Sequence, residues 1–473
     1  MRRHALTDSD FTALGAGRPS PHVIDELRRG QRGRNLLLLR ALAVEAYPEI
    51  DLADPLLGAW AAARLRNRIT WPAPAERPAV RFLTAEHDKI IISVRLDDRD
   101  ERRGLLGLTP SPPLTDAEAD HWQRCLSDAW RLLVTRHRPA AHRLADVLTC
   151  IVPVESDAGA AGISATSADA FGAVAMSRPA DPTGLAVALL HEAQHSLLNA
   201  TAYLFDLHEE PRARGYSPWR DDPRPTSGIL HGAYAYLAVT RFWRTESRAG
   251  GDPLATFEFC RWREAVATTA ERLLATVRLT AAGRRFTGAL LDEVRPWLAE
   301  PADPRITRLA RVANDDHYVR WRLRNMRPDV DALLTAYRRG DPPPPVTSRL
   351  VTDDRRALSH SPRLREIHAL LRRDAPVDNS AELSDPSATL TPAQRGGGGG
   401  GGRDPRKIDN RTVETALLAG DNGTVRHAYT GKDLDLELTA LIIAGGVGAR
   451  AEEVAALVAA GSDAVAVVDW IVG

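Results

Sequence analysis

Lysine is almost missing from this chain. Lys89, Lys407 and Lys432 are the only ones in 473 residues, so nearly all of the positive charge is arginine. Cysteine is as scarce: Cys125, Cys150 and Cys260 lie too far apart for a zinc knuckle, and an odd, sparse set fits a reducing cytoplasm. No apolar run approaches the roughly 20 residues that a membrane span needs, and the N-terminal stretch has no apolar signal core. The expectation is a cytoplasmic protein with no membrane partner. A charge excess is also lacking, since 62 basic residues balance 62 acidic ones, which removes any electrostatic reason to bind nucleic acid.

What is present is His191-Glu192-Ala193-Gln194-His195, an H-E-x-x-H run inside an apolar stretch from Thr183 to Ala200. On a helix, residues four apart share a face, so His191 and His195 can present two imidazoles to one divalent ion, with Glu192 beside it. Asp181-Pro182-Thr183 supplies a cap and a turn before the helix. Apolar residues on both sides oppose the alternative of two histidines on an ordinary surface helix.

The length allows more than one domain. Helices are expected over Ser20 to Glu45, with Gly30 and Gly33 as breaks, over Pro55 to Asn67 and over Thr115 to His137. Strands are expected at 79–84 and 89–96, with Ala85 to Asp88 between them, and again at 147–154, 162–167 and 172–177. This pattern predicts an α+β fold, predominantly helical, with a small sheet before the H-E-x-x-H helix as in zincin-type metalloenzymes. Gly172 to Ser177 is then the candidate edge strand against which an extended peptide pairs. Asp206 to Ser227 reads as a long polar loop, followed by an apolar helix from Gly228 that carries His231 in its first turn. Residues 1–375 form the expected catalytic domain, a helical part over 1–140 and a metal core over 141–345. Residues 376–402 form a Pro/Ser-rich and then glycine linker, and 403–473 a small helical tail.

Two histidines leave a metal under-coordinated, and His231 is the expected third ligand, with His208 in the loop as its competitor. A zinc peptidase would be expected to offer a glutamate on the second helix, and none stands between Ser227 and Arg244. Three protein ligands leave room for a bidentate 2-oxo acid and dioxygen on Fe(II); three ligands and one water equally describe zinc with Glu192 as the base. Residue chemistry leaves iron and zinc both open.

The H-E-x-x-H run, the stretch Tyr216-Ser-Pro-Trp-Arg-Asp-Asp-Pro-Arg-Pro and the helix start Gly228-Ile-Leu-His-Gly together resemble the HEXXH-motif peptide-modification proteins of actinobacterial gene clusters for ribosomally made peptides. The opening Asp10-Phe-Thr-Ala-Leu-Gly-Ala-Gly is also similar, so the likeness covers roughly Met1 to Arg372 and leaves out the tail. Some members of that family are iron- and 2-oxoglutarate-dependent peptide β-hydroxylases, and others are fused to radical-SAM enzymes, whose cysteine triad this chain lacks. The resemblance implies iron on His191, His195 and His231, with Glu192 orienting a ligand or water. It also implies an arginine clamp for 2-oxoglutarate, Arg224 first and Arg220 second, because a guanidinium offers a bidentate fork. The partner would be a precursor peptide. The tail 403–473 is a candidate for a fused substrate, with Asp469 or Trp470 as the target residue. Two other classes stay in view: a zinc hydrolase using Glu192 as general base, and a metal-stabilised peptide-binding protein.

Overall fold

The computed structural model describes residues 5–42, 51–69, 80–156, 162–209, 214–275, 278–351, 361–373, 410–431 and 436–473. The predicted linker, 376–402, lies outside them. The fold is predominantly helical with a small mixed sheet, and no helix among the described residues is long and apolar enough to cross a membrane. Two compact units are formed. The first takes in the described chain up to Arg248 together with Glu258–Ala302; the second takes in Ala249–Phe257 and the described parts of 303–352 and 361–473.

In the first unit, helices α1 (Asp8–Gly15), α2 (Pro21–Ala41) and α3 (Pro55–Leu65) precede a hairpin of β1 (Arg81–His87) and β2 (Ile90–Leu96). The expected breaks at Gly30 and Gly33 do not occur: α2 is continuous, capped by Ser20 with Pro21 in its first turn. The hairpin turn is also tighter than the polar run suggested. Asp88 and Lys89 both take positive φ (48° and 64°), the signature of a two-residue primed turn, so Ala85, Glu86 and His87 remain paired in the strand.

Helix α4 (Asp116–Arg136) starts in a capping box between Thr115 and Glu118 and lies on the hairpin, where the Trp130 indole donates to the carbonyl of Ile90 at 2.9 Å. After α5 (Arg138–Val147) the sheet is completed by β3 (Cys150–Val154), β4 (Ser164–Ala165) and β5 (Ala173–Ser177), in the order β1-β2-β3-β5-β4. Strands β3 and β5 are parallel and buried at every position, as continuous apolar runs covered on both faces should be. The expectation that Gly172 to Ser177 forms the edge is therefore corrected. β5 lies between β3 and β4, and the edge strand is the short, antiparallel β4. Gly172 (φ 82°) makes the entry to β5, and a Cβ there would lie 2.6 Å from the carbonyl of Val147.

Helices α8 (Pro253–Ala275) and α9 (Ala281–Val294) precede in the chain the second unit's α10 (Pro304–Asn325), α11 (Val330–Arg339) and α12 (Pro362–Arg373), which join five tail helices between Asn410 and Val472. Where the sequence places a boundary at 375 and a separate tail, the compact units divide after Ala302. The physical reason is one shared core: Val319 and Leu333 are buried with Leu438, Leu441, Val454 and Leu457, so the tail's apolar faces close on α10 and α11.

Candidate metal centre

Strand β5 leads directly into α6 (Pro182–Leu204). Asp181 caps it by accepting from the Gly184 amide at 2.8 Å, and Pro182 fits the first turn. Leu185, Leu189, Leu197 and Leu198 bury the helix in the main core. Their spacing turns His191 and His195 together to a different face. Their Nε2 atoms are 3.1 Å apart, and the rings meet edge to face with centroids at 4.7 Å.

The third imidazole arrives from α7 (Thr226–Ala249). That helix begins two residues earlier than expected, so His231 stands in its second turn. Its Nδ1 lies 3.3 Å from Nδ1 of His195, with the rings tilted by 33°. The three rings are thus strung along His195, which offers Nε2 to His191 and Nδ1 to His231. Burial holds all three toward the neutral form. It depresses His191; His195 falls well below its ordinary value through burial and then through its two imidazole neighbours; His231 drops to about 4 through burial, His208 and Arg224. Neutral imidazoles carry the lone pair that a metal needs. His208 is half-buried and close enough to act on His231, but its own Nδ1 faces the carbonyl of Glu209 at 3.3 Å.

Glu192 is buried at 2 % exposure, and its carboxylate lies within 4.8 Å of the His191 and His195 nitrogens. Two hydroxyls hold it: Ser164 donates at 2.7 Å from β4, and Thr166 donates to the other oxygen. Neither hydroxyl was singled out from sequence. The signal was there, since Ser164 and Thr166 alternate within a predicted strand and so share a face.

The expected long loop contains a two-stranded hairpin, β6 (Arg214–Ser217) and β7 (Arg220–Pro225). Its strands carry Arg, Asp and Pro rather than an apolar alternation, so hydrophobic periodicity could not show it. The turn delivers Trp219 onto α7, stacked on Tyr236 at 5.1 Å, and Tyr236 meets the His191 ring edge-on at 5.3 Å. Gly232, next to His231, permits this approach: a Cβ there would sit 1.7 Å from the Trp219 indole nitrogen. That nitrogen is buried and has no hydrogen-bond partner among the described residues.

Arg220 and Arg224 are both on β7 and share one acid. Arg220 donates to Asp222 at 2.8 Å and Arg224 at 3.1 Å. Burial works against the Asp222 charge, and the two guanidiniums outweigh it, leaving the carboxyl below its usual range. Arg224 crosses the turn before His231, with its Nε 3.1 Å from where a Gly228 Cβ would stand.

No known family model matches the chain, and a comparison with curated proteins finds no match.

Proposed function

We propose that this chain is a metal-dependent enzyme that hydroxylates side-chain β-carbons of a ribosomally made peptide, with Fe(II) on His191, His195 and His231 and 2-oxoglutarate as co-substrate. The observation that carries the reading is the pairing of neutral His191 and His195, whose Nε2 atoms lie 3.1 Å apart with the Glu192 carboxylate within 4.8 Å; His231 meets the other nitrogen of His195 at 3.3 Å, so its ring would have to turn toward the His191 side to reach the same ion. The group of possible metal ligands, two imidazoles and one carboxylate, suits iron or zinc, and the three cysteines are buried and free with none in it. Iron with 2-oxoglutarate supplies oxidative C–H cleavage, with dioxygen as oxidant and succinate and carbon dioxide as by-products.

The chain's own residues then have defined tasks. Ser164 and Thr166 fix Glu192 so that it orients a ligand or a water beside the imidazoles. Trp219 and Tyr236 wall the site and limit water, and the Trp219 N–H is a donor in reserve for a bound polar group. Arg224, acting on His231 and, among the described residues, paired only through the shared Asp222, is the first choice to take the distal carboxylate, and Arg220 the second. A zincin-like arrangement follows, in which the peptide pairs as an extended strand along β4, the edge that also holds Glu192.

A second reading, a zinc hydrolase, is favoured by one observation: a buried carboxylate beside the two Nε2 atoms is also where a general base belongs. The test is turnover of anaerobically purified protein given Fe(II), 2-oxoglutarate, oxygen and a panel of short peptides. Succinate formation with a one-oxygen mass gain, lost in His231→Ala and kept to within about tenfold in Glu192→Gln, supports the hydroxylase. Retained zinc with peptide cleavage that needs neither oxygen nor 2-oxoglutarate, and falls about 10²- to 10⁴-fold in Glu192→Gln, overturns it.

A further inference from the structure

Behind the motif helix, on the side of α6 that carries Leu190, Ala193, Gln194 and Leu197, the first unit forms a half-open cavity of about 260 Å³. None of the three imidazoles lines it, so a molecule held there is separate from the ion-binding chemistry. Its walls are unusual in charge. Arg136, Arg143, Arg241 and Arg244 all line it, and no aspartate or glutamate does.

Three of these guanidiniums are committed to carboxylates outside the cavity. Arg136 pairs with Glu246, which also takes His137 at 2.7 Å. Arg241 reaches Glu293 at 3.2 Å and the carbonyl of Ala16 at 2.8 Å. Arg244 donates to Glu300 at 2.7 Å. Arg143, from α5, makes no hydrogen bond or ion pair among the described residues. The acid whose field it feels, Glu293, is already shared by Arg18 and Arg241. Burial and then the neighbouring Arg241 lower the Arg143 guanidinium to about 10, which still leaves it charged at neutral pH. A partly buried cation without a partner is costly, and a chain keeps such a group where something else supplies the counter-charge.

Beside the polar His137, Gln194 and Thr245, the rest of the wall is mostly apolar, with Leu144, Val147, Leu190, Leu197 and Phe242. We propose that this cavity is a binding site for a small carboxylate with a short apolar chain, its carboxylate on the Arg143 fork and its chain against Leu144, Leu190 and Phe242. The planar guanidinium favours a two-point carboxylate contact, and the apolar wall favours methylenes over the extra hydrated oxygens of phosphate.

Calorimetric titration of the full-length chain at constant ionic strength with acetate, butanoate, hexanoate and inorganic phosphate tests this. The expected result is one saturable site whose affinity rises roughly fourfold per added methylene until the cavity fills, with phosphate weaker than butanoate. Arg143→Met should weaken hexanoate roughly tenfold to hundredfold. It should also raise the ligand-free unfolding midpoint, because an unpaired, partly buried charge has been removed; a merely structural arginine would lower it. Arg143→Lys, which keeps the charge and loses the fork, should bind hexanoate with intermediate affinity. Equal binding of all four anions, or unchanged hexanoate affinity in Arg143→Met together with a lower midpoint, overturns the assignment.

Discussion

His195 stands between two other imidazoles and is held toward its neutral form by burial first and by those neighbours second. In the metal-free protein this has a pH consequence. A histidine buried in its neutral form has a folded-state pKa below its unfolded value, so on acidification the unfolded chain takes up a proton that the folded chain refuses. For His231, depressed from 6.5 to about 4, stability is flat above pH 6.5 and falls progressively between 6.5 and 4. The loss over that window is on the order of 3 kcal/mol from His231 alone, with His191 and His195 adding in the same direction. Urea denaturation of metal-free protein at a series of pH values reads this directly, and a constant midpoint from pH 7 to 4.5 would contradict it. His191, His195 and Glu192 were legible at this scale because the H-E-x-x-H spacing encodes a shared helical face. His231 was legible only as a histidine on the next apolar helix.

The elements that position those residues divide into two kinds. Helices α6 and α7 and strands β3 and β5 announce themselves through apolar pattern, since burial is what forms them. The β6–β7 hairpin does not, because it carries Arg, Asp and Pro, and the strand expected at 162–167 forms only as the two-residue β4. Assigning the edge to Gly172–Ser177 fails for a different reason: an apolar run states that a strand is buried, not which neighbour lies outside it. The hairpin's grip on α7 rests on Gly232. Gly232→Ala forces the Trp219 indole away, with an expected cost of about 1–3 kcal/mol and a red-shifted, more quenchable tryptophan emission. Unchanged emission and stability would show that Trp219 does not pack over that turn.

Across the whole molecule, the tail is the largest departure from what composition suggests. A glycine run in the sequence signals a tether, yet it says nothing of what the following helices pack against. Here the tail helices complete the core of the second unit. Asp469 is paired with Arg426, and the Trp470 indole donates to the carbonyl of Asp341 at 2.8 Å, so both candidate target residues are engaged in that unit. Arg363 ties the pieces together. It is fully buried, paired with Asp316 and bound to Glu414 at 2.9 Å and to the Leu436 carbonyl at 3.0 Å. Arg363→Ala strands two acids, and the expected loss is about 3–5 kcal/mol in the unfolding of the second unit; a loss below about 1 kcal/mol would contradict this packing.

The central claim is that His191, His195 and His231 serve one ion, and cobalt(II) titration of the metal-free full-length chain followed by visible absorption tests it most directly. Wild type should take up one equivalent with ligand-field bands, and His231→Ala should shift those bands and weaken binding by at least about tenfold. Bands and affinity identical in wild type and His231→Ala would remove His231 from the site and the proposed three-imidazole centre with it.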